Sequence, residues 1–237
     1  MDGTFISELV KQTAPRVEML NSIEYSSKAF FPIMPPMPDP LRAHSLSAIA
    51  DYCREELDPE ETYVIHIKGP DEVLLLSRLM SPHRHRECLL HSRLINDPFD
   101  FGEKYQVEKF IIAMQAQFVQ DDTTAAILAL VGNITAEAKQ ITEDDGVTQR
   151  VTAKAGIARV EEREVPNPVV LRPFRTFQEI EQPASKFVLR VNASGPTCAL
   201  HEADGGAWKN KAIMSIKIWF DCELKKLIEN GVVTVIG

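Results

Sequence analysis

Short apolar runs, broken by polar residues and turn signals, occur in three consecutive stretches in the first half of the chain. They lie at residues 62–68 and 72–77, on either side of the turn-forming Gly69-Pro70-Asp71, and at residues 86–95. Short apolar runs bounded by turn signals are typical of strands, so the pattern predicts three strands. A short turn between the first two strands favours antiparallel pairing. We therefore expect a small antiparallel meander in this region.

Apolar residues recur every three or four positions in four other stretches, which is the spacing of an amphipathic helix. The first helix is expected to begin after Ser45 or Ser47 and to end before Asp58-Pro59. Two more helices are expected at 107–118 and 125–131. The last is a long helix that ends at Asn230-Gly231 and is followed by a strand at 232–236; its apolar face consists of Ala212, Ile213, Ile216, Phe220, Leu224, Leu227 and Ile228.

The central segment from residue 166 to 208 contains five prolines. Each proline removes a backbone donor and favours extended geometry in the residue before it, so short strands and turns are expected here. Phe187, Leu189 and Val191 alternate with other residues as in a strand. Asp204-Gly205-Gly206 predicts a tight turn immediately before Trp208, where the long C-terminal helix opens.

A second turn signal, Asp144-Asp145-Gly146, precedes an alternating stretch at 147–156 and predicts a hairpin. Together these patterns predict an α+β fold with a mainly antiparallel sheet, segregated helices and a long C-terminal helix followed by a short strand. We divide the chain into an extended arm at 1–44, a mixed region of meander and helices at 45–133, and a β-rich region with the C-terminal helix at 134–237. The last two regions could form one domain.

The N-terminal arm ends in an unusual run. Residues 30–40 hold five prolines and five large apolar residues, which is too stiff for a helix and too apolar for a solvated linker. We interpret this run as a strap, meaning an extended segment lying on a hydrophobic surface of the same subunit or of a neighbour. The second option predicts a homo-oligomer.

Composition and charge narrow the class of protein. The chain has 237 residues, 44% of them hydrophobic and 25% charged, and a net charge of -8, which disfavours general binding to nucleic acid. No apolar run reaches the length of a membrane span, and the first residues lack signal-peptide features, so we expect a cytoplasmic protein without membrane contact. The four cysteines contain no C-x-x-C pair and are expected to be thiols.

Several short segments carry a family resemblance: Leu130-Val131-Gly132-Asn133, Asp144-Asp145-Gly146-Val147, Pro173-Phe174-Arg175-Thr176-Phe177, Glu181-Gln182-Pro183 and Glu202-Ala203-Asp204-Gly205-Gly206-Ala207-Trp208. With these and similar segments, most of residues 45–237 resembles the YfdQ-like family of phage and prophage proteins. The family has no established activity, so no catalytic residue can be carried over. The resemblance implies a bacterial cytoplasm during phage infection.

Two clusters are candidates for ligand binding. The first, around His83, His85, Cys88 and His91, has strand parity that does not suit a closed metal site, so no metal is predicted. Arg84, Arg86 and Arg93 in the same stretch would suit phosphate groups. The second cluster places arginines beside aromatic rings, and it consists of Arg172, Arg175, Arg190, Phe174, Phe177 and Trp208. Such side chains bind a base and its phosphate, or pack internally by cation-π contacts and by ion pairs with Glu179 or Glu181.

The familiar catalytic motifs G-x-x-x-x-G-K-[ST], G-x-G-x-x-G, H-E-x-x-H and G-x-S-x-G are absent from the sequence. The carboxylates Glu179, Glu181, Glu202 and Asp204 have no accompanying nucleophile and are best explained as surface or turn residues. We therefore expect a non-enzymatic binding protein without a cofactor, with a nucleotide-like anionic ligand. The alternatives are an accessory factor in phage recombination or replication that binds single-stranded DNA or a DNA-handling protein, and an assembly protein without a ligand.

Overall fold

The computed structural model describes residues 38–55, 62–80, 84–133, 167–192 and 197–237, the segments 13–20 and 23–26, the strand backbones at 149–154 and 160–165, and a few residues before position 13. Residues 1–38 with 81–83 form one compact unit, and residues 39–80 with 84–237 form the other. In the first unit, β1 (Val17–Leu20) pairs antiparallel with β2 (Ile23–Ser26). The predicted strap at 30–40 lies outside the described residues except for its last three positions.

In the second unit, one sheet has five strands in the order β13-β4-β5-β6-β3. The strands are β3 (Leu41–Ala43), β4 (Tyr63–Gly69), β5 (Glu72–Ser77), β6 (Cys88–Arg93) and β13 (Val233–Ile236). The three central strands form the predicted antiparallel meander. The two edge strands, β3 and β13, each pair in parallel with their neighbours. The predicted strand at the C-terminus is therefore confirmed, whereas β3 lies within the stretch expected to be an arm.

The second sheet has four antiparallel strands in the order β10-β11-β12-β7. They are β7 (Tyr105–Gln106), β10 (Val169–Leu171), β11 (Ser185–Asn192) and β12 (Thr197–Glu202). A separate hairpin joins β8 (Gln149–Lys154) to β9 (Val160–Val165). The turn predicted at 144–146 lies outside the described residues. Both larger sheets combine strands from before and after residue 134, and both belong to one compact unit.

The described helices are α1 (Leu46–Arg54), α2 (Val107–Gln117), α3 (Asp122–Gly132), α4 (Ala207–Glu223) and α5 (Lys225–Glu229). Ser45 caps α1 by accepting a hydrogen bond from the Ala48 amide, as predicted. Gly205 and Gly206 have φ of 62° and 79°, which glycine adopts without steric cost, and they place the start of α4 immediately before Trp208. The predicted α+β class is confirmed.

Two apolar cores hold these layers together. Leu46, Ile49 and Cys53 of α1 and Ile216 and Phe220 of α4 pack on the same face of the five-stranded sheet. The second core lies between the four-stranded sheet and helices α2 and α3; it includes Phe110, Met114, Phe118, Ile127, Phe187 and Leu189. No helix in the described ranges is long and apolar enough to cross a bilayer.

Candidate functional site

The side chain of Gln182 binds the backbone of the loop that carries Arg175. Gln182 is 5% exposed, and its Oε1 accepts hydrogen bonds from the amides of Arg175 and Thr176 at 3.1 and 3.2 Å. Its Nε2 donates to the carbonyls of Thr176 and Phe177, both at 3.2 Å. The amide group of Gln182 therefore satisfies four backbone groups of a proline-bounded loop that has no ladder partner. This arrangement fixes the position from which the Arg175 side chain departs.

Arg175 lies in the centre of an aromatic cage. Its Cζ lies 3.8 Å from the ring centroid of Trp208, and 5.9 and 5.7 Å from the rings of Phe101 and Phe187. One guanidinium nitrogen donates to Glu202 Oε1 at 2.5 Å and the other donates to Ser185 Oγ. The side chain is only 7% exposed. Burial lowers the pKa of Arg175, and the charge and hydrogen bond of Glu202 oppose that shift.

Asp204 completes the environment at the start of α4. Its Oδ1 accepts a hydrogen bond from the Gly206 amide at 3.0 Å. Burial favours a raised pKa, but hydrogen bonds from Ser185 and the Gly206 and Trp208 amides, together with the Arg175 charge, outweigh it, so the pKa of Asp204 is lowered. Arg175 is thus matched by carboxylates within the protein, and its ring-facing side is occupied by Trp208. The arrangement is that of a structural cation.

The other arginines predicted to bind ligand face different neighbours. Arg172 forms ion pairs with Asp121 at 3.1 Å and with Glu181 at 3.0 Å. The hydrogen bond to Asp121 is the largest cause of a raised pKa for Arg172. Arg190 is half-buried on the face of β11 opposite to Phe187 and Leu189. The three arginines that the sequence groups together therefore do not converge on one cavity.

The predicted aromatic partners are also divided. Phe177 is fully buried in the core of the five-stranded sheet, so a ligand cannot reach its ring in this structure. Phe174 is half-buried, and its carbonyl accepts a hydrogen bond from Asn96 Nδ2 at 2.9 Å. Trp208 is 8% exposed and its ring face is covered by Arg175. Of the predicted aromatic set, only Trp208 is placed in contact with a predicted arginine by the contacts described above.

The stretch before β6 separates the remaining predicted residues. Arg84 is exposed with a φ of 53°, and Arg86 is exposed with its guanidinium donating to the Ser77 carbonyl at 2.9 Å. Neither residue lines the cleft that contains Arg93. Among the described residues, no three histidine, cysteine or carboxylate side chains are grouped as a metal site would require.

A different set of basic residues does converge. The parallel pairing of β3 with β6 places Arg42 opposite His91, and the His44 Nδ1 lies 2.9 Å from the carbonyl of Arg93. Because side chains in a strand alternate between faces, Arg42 shares a face with His91 and Arg93. Leu90 on the opposite face belongs to the core. Arg42, His91 and Arg93 therefore lie on the sheet face that α1 and α4 leave uncovered, and His44 follows the end of β3 beside Arg93.

These residues line a groove of about 700 Å³, which we call the edge groove. Its other walls are formed by Pro40, Ala43, Asp71, Leu94, Ile95, Asn96 and Pro98. Arg42 and Arg93 are exposed, and neither guanidinium makes an ion pair within the described part of the chain. Asp71 is the single carboxylate among the lining residues. The groove is thus locally basic on a protein whose net charge is -8.

Glu72 lies beside the edge groove, and the negative charge of its carboxylate is already balanced by neighbouring side chains. Lys68 Nζ donates to its Oε1 at 3.0 Å, and His91 Nε2 lies 2.9 Å from the same oxygen. The hydrogen bond from Lys68 is the largest cause of the lowered pKa of Glu72, which burial opposes and the charges of Lys68 and His91 assist. Glu72 therefore does not cancel the charge of Arg42 or Arg93.

Comparison of the chain with protein-family models, with curated proteins and with solved structures finds no match. The site is consequently defined by its geometry. Sequence reasoning included Arg93 among the phosphate-binding candidates but missed Arg42 and His44. The available signal was the pair of alternating basic motifs, Arg42-Ala43-His44 and His91-Ser92-Arg93, which only the pairing of β3 with β6 brings together.

Proposed function

We propose that this protein is a non-enzymatic binding protein that takes up a nucleotide-like anionic ligand in the edge groove. The proposal rests on the local charge of this groove, which is basic although the net charge of the protein is -8. Elsewhere in the second unit, the buried or partly buried guanidinium groups of Arg172 and Arg175 are matched by carboxylates. Arg42 and Arg93 have no such match in the described residues, and Arg guanidinium groups bind phosphate through paired, charge-assisted hydrogen bonds.

The size and walls of the groove support a ligand larger than inorganic phosphate. Its volume of about 700 Å³ lies within the range typical of small-molecule sites, about 300–1,000 Å³. Leu94, Ile95 and Pro98 offer an apolar wall beside the basic residues, and Ile95 is 72% exposed. An amphipathic ligand with a flat apolar part and a phosphate part would satisfy both kinds of wall.

The biological setting of the proposal comes from the resemblance to YfdQ-like phage and prophage proteins. In a bacterial cytoplasm during infection, a protein that sequesters a nucleotide-like signal would counter or modulate host defence. The proposal includes no chemical step, because the edge groove contains basic residues and one carboxylate but no arrangement of nucleophile and base.

The test combines native mass spectrometry of the purified protein with thermal unfolding in the presence of nucleoside mono-, di- and triphosphates, cyclic nucleotides and inorganic phosphate. A ligand at 100 times its Kd stabilises the folded state by about 2.7 kcal/mol, or roughly 5–10 °C for a chain of this size. We expect such a shift with at least one nucleotide, and we expect the Arg42→Ala/Arg93→Ala double variant to lose it. The control Arg84→Gln alters an exposed arginine that does not line the groove.

Three outcomes would overturn the proposal. The first is the absence of both a retained ligand and any nucleotide-dependent shift. The second is binding of single-stranded DNA with a steep dependence on salt but no response to nucleotides, which would favour the accessory DNA-binding alternative. The third is a shift that survives in the double variant, which would place the nucleotide at another site.

A further inference from the structure

Helix α4 exposes an apolar pair on its outer face. Met214 is 64% exposed and Ile218 is 57% exposed, and the two residues are one turn apart. Ile216 and Phe220 on the other side are fully buried against the five-stranded sheet, so the helix is anchored independently of its outer face. The outer face also carries Ala207, Asn210, Lys211, Asp221 and Cys222, as the spacing of 3.6 residues per turn requires.

The order of residues on this face is symmetric about position 216. Reversing the helix direction around that position exchanges Met214 with Ile218, and Lys211 with Asp221. The apolar pair is therefore complementary to itself, and so is the charged pair. Lys211 lies in the N-terminal half of the face and Asp221 in the C-terminal half. Such self-complementarity is what a two-fold symmetric contact needs, because residue i then meets residue j while j meets i.

We infer that the outer face of α4 binds a second copy of this chain, with the two α4 helices antiparallel and related by a two-fold axis at the level of residue 216. Met214 of each subunit packs on Ile218 of the partner subunit. Lys211 of each subunit lies against Asp221 of the partner subunit. The Lys217–Asp221 ion pair within the helix, at 3.3 Å and with both side chains more than 40% exposed, leaves Asp221 accessible to a second cation.

The expected strength follows from the size of the contact. Helix α4 has 17 residues and a length of about 25 Å, and one helix pair buries less area than the roughly 1,600 Å² of a standard interface. Association in the micromolar range is therefore expected. This contact does not involve the edge groove, so the inference stands or falls separately from the proposed function.

The test is a charge exchange measured by analytical ultracentrifugation of the full chain. Lys211→Glu places Glu against Asp at both symmetry-related contacts, and Asp221→Lys places Lys against Lys. Each single variant is expected to weaken the dimer on the order of tenfold, because two exposed attractions become repulsions. The Lys211→Glu/Asp221→Lys double variant should recover the wild-type Kd. A mixture of the two single variants should form a heterodimer more tightly than either variant self-associates.

A cross-link gives an independent readout. The reversal also brings position 210 opposite position 222, and Cys222 is exposed. The Asn210→Cys variant, oxidised with copper phenanthroline, is expected to form a disulfide with Cys222 of the partner subunit. Wild type, and the control Glu229→Cys on α5, should remain largely uncross-linked. Far-UV circular dichroism and the melting temperature verify that each variant is folded.

A wild-type chain that stays monomeric at several hundred micromolar would overturn the inference. An oligomer whose Kd is unaffected by either single exchange, or equal cross-linking at positions 210 and 229, would also overturn it by placing the contact on another surface.

Discussion

At Arg175, the chemically closest substitution is expected to be the more harmful one. The guanidinium is 7% exposed, stacks 3.8 Å from the Trp208 ring centroid and donates to both Glu202 and Ser185. Arg175→Lys keeps the buried charge but loses the planar fork that reaches both acceptors while stacking on the ring. Arg175→Met loses the same contacts and also removes the buried charge, while keeping an apolar side chain of similar length for the aromatic cage.

The magnitudes separate the two variants. A hydrogen bond to a charged group contributes about 1.5–3 kcal/mol, and a desolvated cation-π contact contributes about 2 kcal/mol. The lysine ammonium group replaces only part of these hydrogen bonds and of the cation-π contact. Arg175→Lys is therefore expected to lower the free energy of unfolding by about 3 kcal/mol. Arg175→Met removes the free-energy cost of burying the guanidinium, whose Nε has no hydrogen-bond partner among the described residues. This gain offsets part of the lost contacts, so Arg175→Met is expected to lower the free energy of unfolding by only about 1 kcal/mol. Glu202 is 38% exposed, so water replaces the lost partner there.

Urea denaturation followed by circular dichroism gives both free energies, and the tryptophan fluorescence of the native state reports the loss of the cation at Trp208. The melting temperature should fall by roughly 6–12 °C in the lysine variant and by roughly 2–4 °C in the methionine variant. As a matched control, Arg172→Lys and Arg172→Met should differ little from each other, because that guanidinium is 31% exposed between Asp121 and Glu181. A lysine variant more stable than the methionine variant would refute the reasoning, because the buried positive charge, and not the planar guanidinium, would then be what stabilises the fold at this position.

Two further predictions concern titratable groups. Asp121 caps α3, and hydrogen bonding from the Thr124 amide is the largest cause of its pKa lying below the ordinary 3.8. The ionised carboxylate of Asp121 therefore stabilises the fold above the unfolded pKa, and this contribution is lost as pH falls through the lowered native pKa. In urea titrations, Asp121→Asn should be less stable than wild type at pH 7, and the difference should shrink as the pH falls through that range. Burial raises the pKa of Cys53 and Cys198 to about 12. Ellman's reagent at pH 8 should therefore label the exposed Cys222 rapidly and these two thiols only after unfolding. Rapid labelling of all three thiols in the native protein would contradict the described burial.

Local patterns were sufficient for most elements of the second unit. Short apolar runs on either side of Gly69-Pro70-Asp71 identified β4 and β5, since the turn between them sets where one strand ends and the next begins. The capping hydroxyl of Ser45 and the positive φ of Gly205 and Gly206 fixed helix starts through chemistry within a few residues. These features depend on neighbours in sequence, which the chain itself provides.

Contacts between residues far apart in the sequence could not be predicted in the same way. The arginines of the second cluster were expected to bind ligand or to pair with Glu179 or Glu181. Arg172 does pair with Glu181, but Arg175 pairs with Glu202, and the Glu179 carboxylate accepts from the Ser47 amide and hydroxyl. Phe101 joins the aromatic cage although it lies 74 positions before Arg175 in the sequence. Each of these contacts depends on how β11, β12 and the loop of Gln182 are arranged, and many arrangements satisfy the same local pattern.

The edge groove has a further physical implication. Parallel pairing places Arg42 opposite His91, and His44 Nδ1 lies 2.9 Å from the Arg93 carbonyl, so two arginines and two histidines gather at one edge of the sheet beside a single lining carboxylate, Asp71. Arg42 and Arg93 form no ion pair within the described residues, so the fold itself gives no reason to gather them there. Arrangements that break a local rule without internal compensation occur at functional sites, where a bound partner supplies the missing charge. The Arg42→Ala/Arg93→Ala variant without ligand should therefore unfold at the same temperature as wild type or higher, while losing the stabilisation that an anion provides. A variant that is less stable in the absence of any anion would instead mean that the two arginines stabilise the fold itself.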